Sequence, residues 1–80
     1  MPKKLIVGVA STIRRLRKGK GLSQEELAER ANLDRTYISG IERGVRNITL
    51  ESLELIVLGL DMDICHFLKE LEQNFLDNKD

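Results

Sequence analysis

The stretch SQEELAERANLDRTYISGIER, residues 23–43, predicts two short helices joined by a tight corner. Ser23 is a favoured helix N-cap, and Glu26 three residues later completes a capping box. Apolar residues then recur at helical spacing as far as Asn32, a residue type that tolerates the left-handed conformation at a helix end. Asp34 provides an N-cap for the second helix. The stretch therefore has the pattern of a helix-turn-helix.

The second helix is ended by Gly44. The residues at its start are an unusual choice for a helix face that only meets solvent. It begins with Arg-Thr-Tyr at positions 35–37. Gly40 inside it costs roughly 0.5–1 kcal/mol relative to Ala, which indicates that another group comes close. In a DNA-binding helix-turn-helix the second helix enters a major groove about 12 Å wide. A generic helical hairpin within a small bundle is the alternative, since short amphipathic helices are common.

The charges of the chain are segregated along its length. The 80 residues have a net charge of zero, but residues 1–47 carry +6 and residues 48–80 carry −6. The basic half contains the predicted helix-turn-helix, as an electrostatic footprint on phosphates requires. The acidic half is expected to face away from DNA or towards a protein.

Composition argues against several classes of protein. One Cys and one His cannot build a disulfide framework, a multi-ligand metal site or a nucleophile–base pair, so we expect no enzyme activity and no cofactor. The apolar run Leu5–Ala10 is too short for a signal peptide, and no stretch is long enough to cross a membrane. We therefore expect a single cytoplasmic domain over residues 1–80, with no small-molecule ligand and no membrane contact.

Three further helices are expected at Leu5–Lys18, at Leu50–Leu60 with Thr49 as N-cap, and at Ile64–Leu76. Gly59 either lets another backbone come close or weakens the helix end. Each of these helices has an apolar stripe. In the first helix it is Leu5, Ile6, Val9, Ile13 and Leu16, and in the second it is Leu50, Leu53, Ile56, Val57 and Leu60. In the third it is Ile64, Phe67, Leu68, Leu71, Phe75 and Leu76.

Two segments carry a family resemblance. LSQEELAERANL at residues 22–33, closed by ERG at 42–44, resembles the Cro/C1-type helix-turn-helix family of phage and bacterial repressors. Within that family, LDRTYISGIERGVRNITLESLE at residues 33–54 resembles the controller proteins of type II restriction–modification systems. The resemblance implies an all-α, five-helix, lambda-repressor-like DNA-binding domain. Helices 2 and 3 would form the helix-turn-helix, and the last helix would make a dimer.

The resemblance also implies a biological role. Controller proteins are symmetric homodimers that bind palindromic operators upstream of their own gene. They activate their own gene and the endonuclease gene, and a second dimer on a tandem site then represses both. An antitoxin or a phage-type repressor with the same fold remains an alternative; an antitoxin would use the acidic fifth helix to bind its toxin.

Five side chains are predicted to contact bases. Arg35 can donate two hydrogen bonds to guanine, although a phosphate contact is its alternative. Thr36 can present its hydroxyl or its methyl group to a base, or only support the helix start. Tyr37 either meets DNA or packs in the core. Ser39 projects to the same side as Thr36, and Arg46 either reads a base from the following loop or stays in solvent.

Contacts to the DNA backbone fix the register of the protein without reading sequence. Gln24 opens the first helix of the motif, where side chain and terminal amides can meet a phosphate. The resemblance assigns the same role to Arg43, Asn47 and Ser52.

The resemblance gives other charged residues different roles. It implies a partly buried ion pair between Arg17 and Glu42, in which each charge depends on the other. It also places Glu25 and Glu29 where activating relatives touch the sigma subunit of RNA polymerase. An ordinary solvated face is the alternative for these two glutamates.

The dimer is expected to form through the fourth corner and the fifth helix, because a domain this small gains from burying more apolar surface. Core packing within one chain is the alternative for every candidate contact. The candidates are Ile56, Ile64, Phe67 and Leu68. Cys65 and His66 are expected to be core or interface residues.

Overall fold

A computed structural model of the protein describes residues 4–77. These residues form five α-helices and no strand, which confirms the predicted fold class. None of these helices is long and apolar enough to cross a membrane. The helices are α1 Lys4–Gly19, α2 Gln24–Ala31, α3 Arg35–Glu42, α4 Leu50–Gly59 and α5 Ile64–Asp77.

One apolar core joins all five helices. α1 packs against α3 and α5, α2 packs against α3 and α4, and α4 also contacts α5. Every helix contributes buried side chains, so the helix-turn-helix is braced by the rest of the chain. Burying each large apolar side chain contributes about 1.5–3 kcal/mol. The core residues are Val9, Ile13, Leu27, Ala28, Ala31, Ile38, Ile41, Ile56, Val57, Leu60, Met62 and Phe67.

Six members of the predicted apolar stripes are exposed, namely Leu5, Leu50, Ile64, Leu68, Phe75 and Leu76. Leu5 is 62% exposed and Leu50 is 87% exposed, so their predicted burial is wrong. Each lies in the first turn of its helix, at the edge of the bundle. Periodicity identifies the buried face of a helix, but it does not tell how far along that face the neighbouring helices extend.

The predicted helix starts are present. Ser23 Oγ accepts from the backbone N–H of Glu26 at 3.0 Å, and Glu26 Oε1 accepts from the N–H of Ser23 at 2.8 Å, so the capping box is complete. Asp34 and Thr49 cap α3 and α4 through their side-chain oxygens. These bonds satisfy backbone donors that have no partner inside the helix.

Helix ends share a common geometry. Asn32 has φ 57°, as the sequence predicted, and Leu33 then donates its N–H to the carbonyl of Ala28 at 2.8 Å. This is the Schellman arrangement, which closes a helix with one left-handed residue. It sets the corner between α2 and α3 without inserting a long loop. Within residues 4–77, positive φ occurs at Gly21, Asn32, Gly44 and Asp61, each just after a helix.

A buried ion pair ties the first three helices together. Arg17 Nε lies 2.6 Å from Glu42 Oε2, and Arg17 Nη2 donates to Glu42 Oε1 at 3.0 Å. Arg17 Nη1 also donates to the carbonyl of Leu22 at 2.6 Å, and Gln24 Nε2 donates to Glu42 Oε1 at 3.0 Å. Each charge therefore has a hydrogen-bonded partner, which burial in a protein demands.

A polar seam holds α5 against α1. Arg15 Nη2 donates to Glu70 Oε1 at 2.9 Å midway along α5. One turn further along, Asn74 Nδ2 donates to the carbonyl of Gly8 at 3.2 Å and to Thr12 Oγ1 at 3.1 Å. Thr12 is fully buried, so the bond from Asn74 supplies a partner for a hydroxyl that water does not reach.

Candidate DNA-binding surface

The start of α3 is open to solvent. Arg35 and Thr36 are exposed, while Ile38 and Ile41 on the opposite side are buried in the core. The core thus orients the helix, and its polar residues face outward. Ser39 is half-buried beside them. This is the arrangement that a helix needs to present base-reading side chains to a major groove.

Tyr37 lies between the core and the loop after α3, which confirms part of its predicted core packing and leaves its DNA contact a prediction. It is half-buried and packs against the core cluster. The guanidinium carbon of Arg46 lies 5.1 Å from the centroid of its ring, which is a cation–π contact. One side of the ring therefore belongs to the core and another supports Arg46. Residue spacing carries no direct signal for this pair, because Tyr37 lies on α3 and Arg46 on the loop that follows it.

The loop after α3 folds back onto the helix. Gly44 has φ 73° and donates its N–H to the carbonyl of Ile41 at 2.9 Å. Gly40 accepts from the N–H groups of Val45 at 3.1 Å and Arg46 at 3.3 Å. The close approach predicted at Gly40 is confirmed, and the approaching group is the side chain of Arg46 from the same chain.

The loop and the start of α4 carry three of the predicted phosphate-binding residues. Arg43 is exposed, with its Nε 3.4 Å from the carbonyl of Ser39, and Asn47 is exposed further along the loop. Ser52 Oγ accepts from Thr49 Oγ1 at 2.9 Å, which leaves its own proton available to donate. The three lie on one continuous segment, residues 43–52, directly after α3.

Gln24 reaches the same end of α3 from the start of α2. One proton of its amide goes to Glu42 Oε1 at 3.0 Å, while the second remains available to an oxygen of a phosphate. The contact with Glu42 was not predicted. It fixes the orientation of the amide through the ion pair with Arg17, so that Gln24 is held in place before any ligand arrives.

An acidic groove borders the start of α3. It has a volume of about 480 Å³. Hydrogen bonds from the backbone and side chain of Ser23 lower the pKa of Glu26, so this carboxylate keeps its charge in mildly acidic solution. Glu25 and Glu29 are both exposed here. The lining residues are Glu25, Glu26, Ala28, Glu29, Leu33, Asp34 and Arg35.

Comparison with known proteins identifies the family to which this chain belongs. The family described as helix-turn-helix matches residues 13–67. Control protein C.MunI of Mycoplasma sp is 44% identical over 62 residues, which is 76% of this chain and 84% of that protein. This chain belongs to the helix-turn-helix controller proteins of restriction–modification systems.

Solved structures of another controller protein have the same fold. A single-residue variant of C.Esp1396I superimposes with a TM-score of 0.95 at 44% identity, covering 99% of this chain and 100% of that one. The C.Esp1396I tetramer in complex with its natural 35 base-pair operator gives a TM-score of 0.89 at 48% identity, covering 91% and 96%. The whole described domain, including α5, is therefore a controller-protein fold.

Burial separates the predicted dimer contacts of this controller protein into two kinds. Ile56 is 0% and Phe67 1% exposed, so their side chains are core residues with no surface left for a partner. Ile64 and Leu68 are 42% and 51% exposed and lie one turn apart on α5. Only these two remain as predicted dimer contacts.

Two further residues of α5 differ from expectation. Cys65 and His66 were predicted to be core or interface residues; both are exposed, which excludes the core of the chain and leaves the interface as a prediction. They lie beside Ile64 at the start of the helix, on faces that turn away from the core side chain Phe67. His66 Nε2 lies 3.6 Å from Glu70 Oε2 at the surface.

Proposed function

We propose that this controller protein is a homodimeric transcription regulator that binds a palindromic operator upstream of its own gene in the cytoplasm. It first activates and then represses its own gene and that of a restriction endonuclease. The observation that carries the proposal is the open start of α3, where Arg35 and Thr36 project from a helix whose other face is locked into the core.

Base recognition is assigned to the exposed side of α3 and the loop behind it. Arg35 donates a bidentate pair of hydrogen bonds to guanine O6 and N7, a contact worth roughly 1–3 kcal/mol of discrimination. Thr36 and Ser39 offer hydroxyl groups along the same side. Arg46, supported by the ring of Tyr37, adds a second guanidinium from the loop.

Phosphate contacts on both sides of α3 set the register. Gln24 binds from the start of α2 through its free amide proton, and Arg43, Asn47 and Ser52 bind from the loop and from α4. The positive charge of Arg43 neutralises a phosphate and releases a counterion, so affinity should fall as salt concentration rises.

A dimer of these domains reads two half-sites about one helical turn apart. Ile64 and Leu68 on α5 supply its apolar contact, and a second dimer occupies a tandem site. The tetramer of C.Esp1396I on its natural operator supports this stoichiometry. Glu25 and Glu29, exposed on α2 in the acidic groove, form the surface that meets the polymerase sigma subunit during activation.

The first test is a binding titration on DNA from immediately upstream of the gene, with a scrambled duplex as competitor and several salt concentrations. The expected result is two-step binding with preference for the upstream DNA. Arg35→Ala should reduce that preference by about tenfold to a hundredfold, since 1.4 kcal/mol corresponds to a factor of ten.

Arg15→Ala is the matched control for the loss of one arginine, because Arg15 is exposed on α1, pairs with Glu70 of α5 and is not among the predicted DNA contacts. It should leave the preference unchanged. Salt-sensitive binding without any preference for the upstream DNA would contradict the proposed role as an autoregulator.

A second experiment separates activation from binding. In transcription reactions on the same promoter, increasing protein should first raise and then lower the amount of transcript. The double variant Glu25→Gln, Glu29→Gln should lose the rise while its operator affinity is kept. Activation that survives in this variant would contradict the assigned polymerase contact.

A further inference from the structure

We propose that Gly40 is a positioning residue that sets the sequence selectivity of this protein by letting the side chain of Arg46 lie across α3 and stack on Tyr37. The proposal rests on the DNA-binding function argued above, and it assigns a role to a residue that itself has no side chain to contact DNA.

The surface of α3 at Gly40 is filled by Arg46. A Cβ atom added at Gly40 would overlap Arg46 Cγ, and it would lie 3.4 Å from Arg46 Cβ and 3.5 Å from Arg46 Cδ. These atoms are the base of the arginine side chain rather than its flexible end. Movement of the guanidinium alone cannot relieve the overlap, so the whole side chain must rotate away or the loop must shift.

The backbone of the loop is held against such a shift. The carbonyl of Gly40 accepts from Val45 N–H at 3.1 Å and from Arg46 N–H at 3.3 Å, while Gly44 donates to Ile41 at 2.9 Å. These bonds close the end of α3 and fix where the Cα of Arg46 lies. Any side chain at position 40 therefore acts mainly on the direction of the Arg46 side chain.

That direction decides whether Arg46 is ready to bind. In the observed direction its guanidinium carbon is 5.1 Å from the Tyr37 ring centroid. Stacking uses the flat face of the guanidinium and leaves the N–H donors at its edge available for a base or a phosphate. A side chain ordered in advance loses less conformational entropy when it binds, which increases affinity for the matching sequence.

Replacing Gly40 separates this role from a structural one. Alanine is more favourable than glycine inside a helix, so Gly40→Ala adds helix stability wherever Arg46 is free to move aside. A positioning role thus predicts lost selectivity without lost stability. A purely structural role predicts that both change together.

The stack can be measured without DNA. The chain has one Tyr and no Trp, so Tyr37 is the only source of tyrosine ring signals and intrinsic fluorescence. In NMR spectra, the side-chain protons of Arg46 should be shifted by the Tyr37 ring in the wild type and not in Gly40→Ala. Gly19→Ala is the control, because a Cβ at Gly19 meets nothing within 4 Å, and it should keep the shift. A shift that persists in Gly40→Ala overturns the proposal.

The functional arm compares affinity for the upstream operator with affinity for a scrambled duplex. Gly40→Ala should lower this ratio about tenfold with no fall in melting temperature. In an Arg46→Ala background the same substitution should change the ratio less than twofold, because the group that it displaces is already absent. Equal losses in both backgrounds overturn the proposal.

The two proposals fail in different ways. Wild-type protein that shows no preference for the operator would overturn the proposed function and this inference together. Wild-type preference that survives unchanged in Gly40→Ala would overturn this inference alone.

Discussion

Arg17 and Glu42 show how charges are accommodated inside a small domain. Their side chains are 9% and 2% exposed, and every polar atom of the pair has a partner among Arg17, Glu42, Leu22 and Gln24. Within residues 4–77, no buried side-chain nitrogen or oxygen lacks a hydrogen bond. The pair therefore connects α1, α2 and α3 without leaving an unsatisfied charge.

Glu42→Ala should destabilise the fold by about 3–5 kcal/mol, because the guanidinium of Arg17 would remain buried without its counter-charge. Urea unfolding followed by circular dichroism measures the loss. Glu70→Ala is the matched control, since it removes a glutamate from the exposed ion pair with Arg15, and it should cost about 0–1 kcal/mol. Equal losses in the two variants would contradict the argument.

The double variant Arg17→Met, Glu42→Leu extends this test. It removes both charges and fills the space with apolar atoms, so it should regain most of the stability lost in Glu42→Ala. A double variant as unstable as the single one would mean that packing or the bond from Gln24 dominates, rather than the stranded charge.

At this scale the sequence identified residue types, and the family resemblance identified the Arg17–Glu42 pair, which is confirmed, but other pairings were missed. Arg35 and Arg46 were identified because their chemistry matches guanine and phosphate. The contacts of Gln24 with Glu42 and of Tyr37 with Arg46 join residues on separate elements, so no local spacing reports them. Gly40 was the one local sign that some group lay close to α3.

At the scale of elements, the capping box makes the stability of α2 depend on pH. Hydrogen bonds from Ser23 lower the folded-state pKa of Glu26 below its ordinary value of 4.5. A group with a lowered pKa contributes stability that is fully present above its unfolded pKa and is lost as pH falls through the folded value. The contribution of Glu26 should therefore fade as pH drops below 4.5.

Urea unfolding of the wild type and of Glu26→Gln at pH 7 and in steps below pH 4.5 measures this effect. The wild type should be the more stable protein at pH 7, and the difference should shrink in the acidic steps, because glutamine does not titrate. A difference that stays constant with pH would contradict the assignment. Ser23→Ala, which removes the other half of the box, should cost about 1 kcal/mol at pH 7.

Helices α2 and α4 approach each other closely at Gly59. A Cβ at this position would lie 3.3 Å from the backbone nitrogen of Ala31 and 3.2 Å from Leu27 Cδ1. Of the two readings of Gly59 that the sequence left open, the structure favours close approach of another backbone. Because a backbone atom cannot move aside alone, the helices would have to separate.

Gly59→Ala should lower the free energy of unfolding by about 1–2 kcal/mol, with overpacking outweighing the better helix propensity of Ala. Gly19→Ala serves as the control, since its Cβ would meet open space at the end of α1, and it should be neutral or slightly stabilising. Thermal unfolding compares the two. A Gly59→Ala protein at least as stable as Gly19→Ala would refute the close-packing argument.

The five helices themselves were accessible from the sequence because apolar periodicity marks each of them and N-caps mark the starts of α2, α3 and α4. Apolar periodicity does not show how far along each helix the neighbouring helices pack against it. Leu5 and Leu50 continue the apolar stripes of α1 and α4 yet lie in solvent, because the bundle does not reach their first turns.

At the scale of the whole molecule, positive and negative charges lie on different parts of the chain. The excess positive charge of residues 1–47 lies mainly on α1 and the turn after it, and the −6 of residues 48–80 lies largely on α4 and α5. A neutral total is therefore compatible with a basic surface that attracts phosphates. The proposed dimer would form through α5, which lies in the acidic part of the chain.

The same helix supplies both core and candidate dimer contacts, and burial tells them apart. Phe67→Ala should destabilise each chain by about 3–5 kcal/mol, because it empties a core position.

Leu68→Glu should leave the chain folded and shift sedimentation from dimer to monomer, because it places a charge on the exposed apolar side of α5. The melting temperature of Leu68→Glu should also become independent of protein concentration, whereas that of the dimer rises with concentration. Leu5→Glu is the matched control, being an equally exposed leucine on α1, and it should stay dimeric. If Leu68→Glu sediments as the wild type does, the dimer forms through another surface, and the acidic half of the molecule would then need a different role.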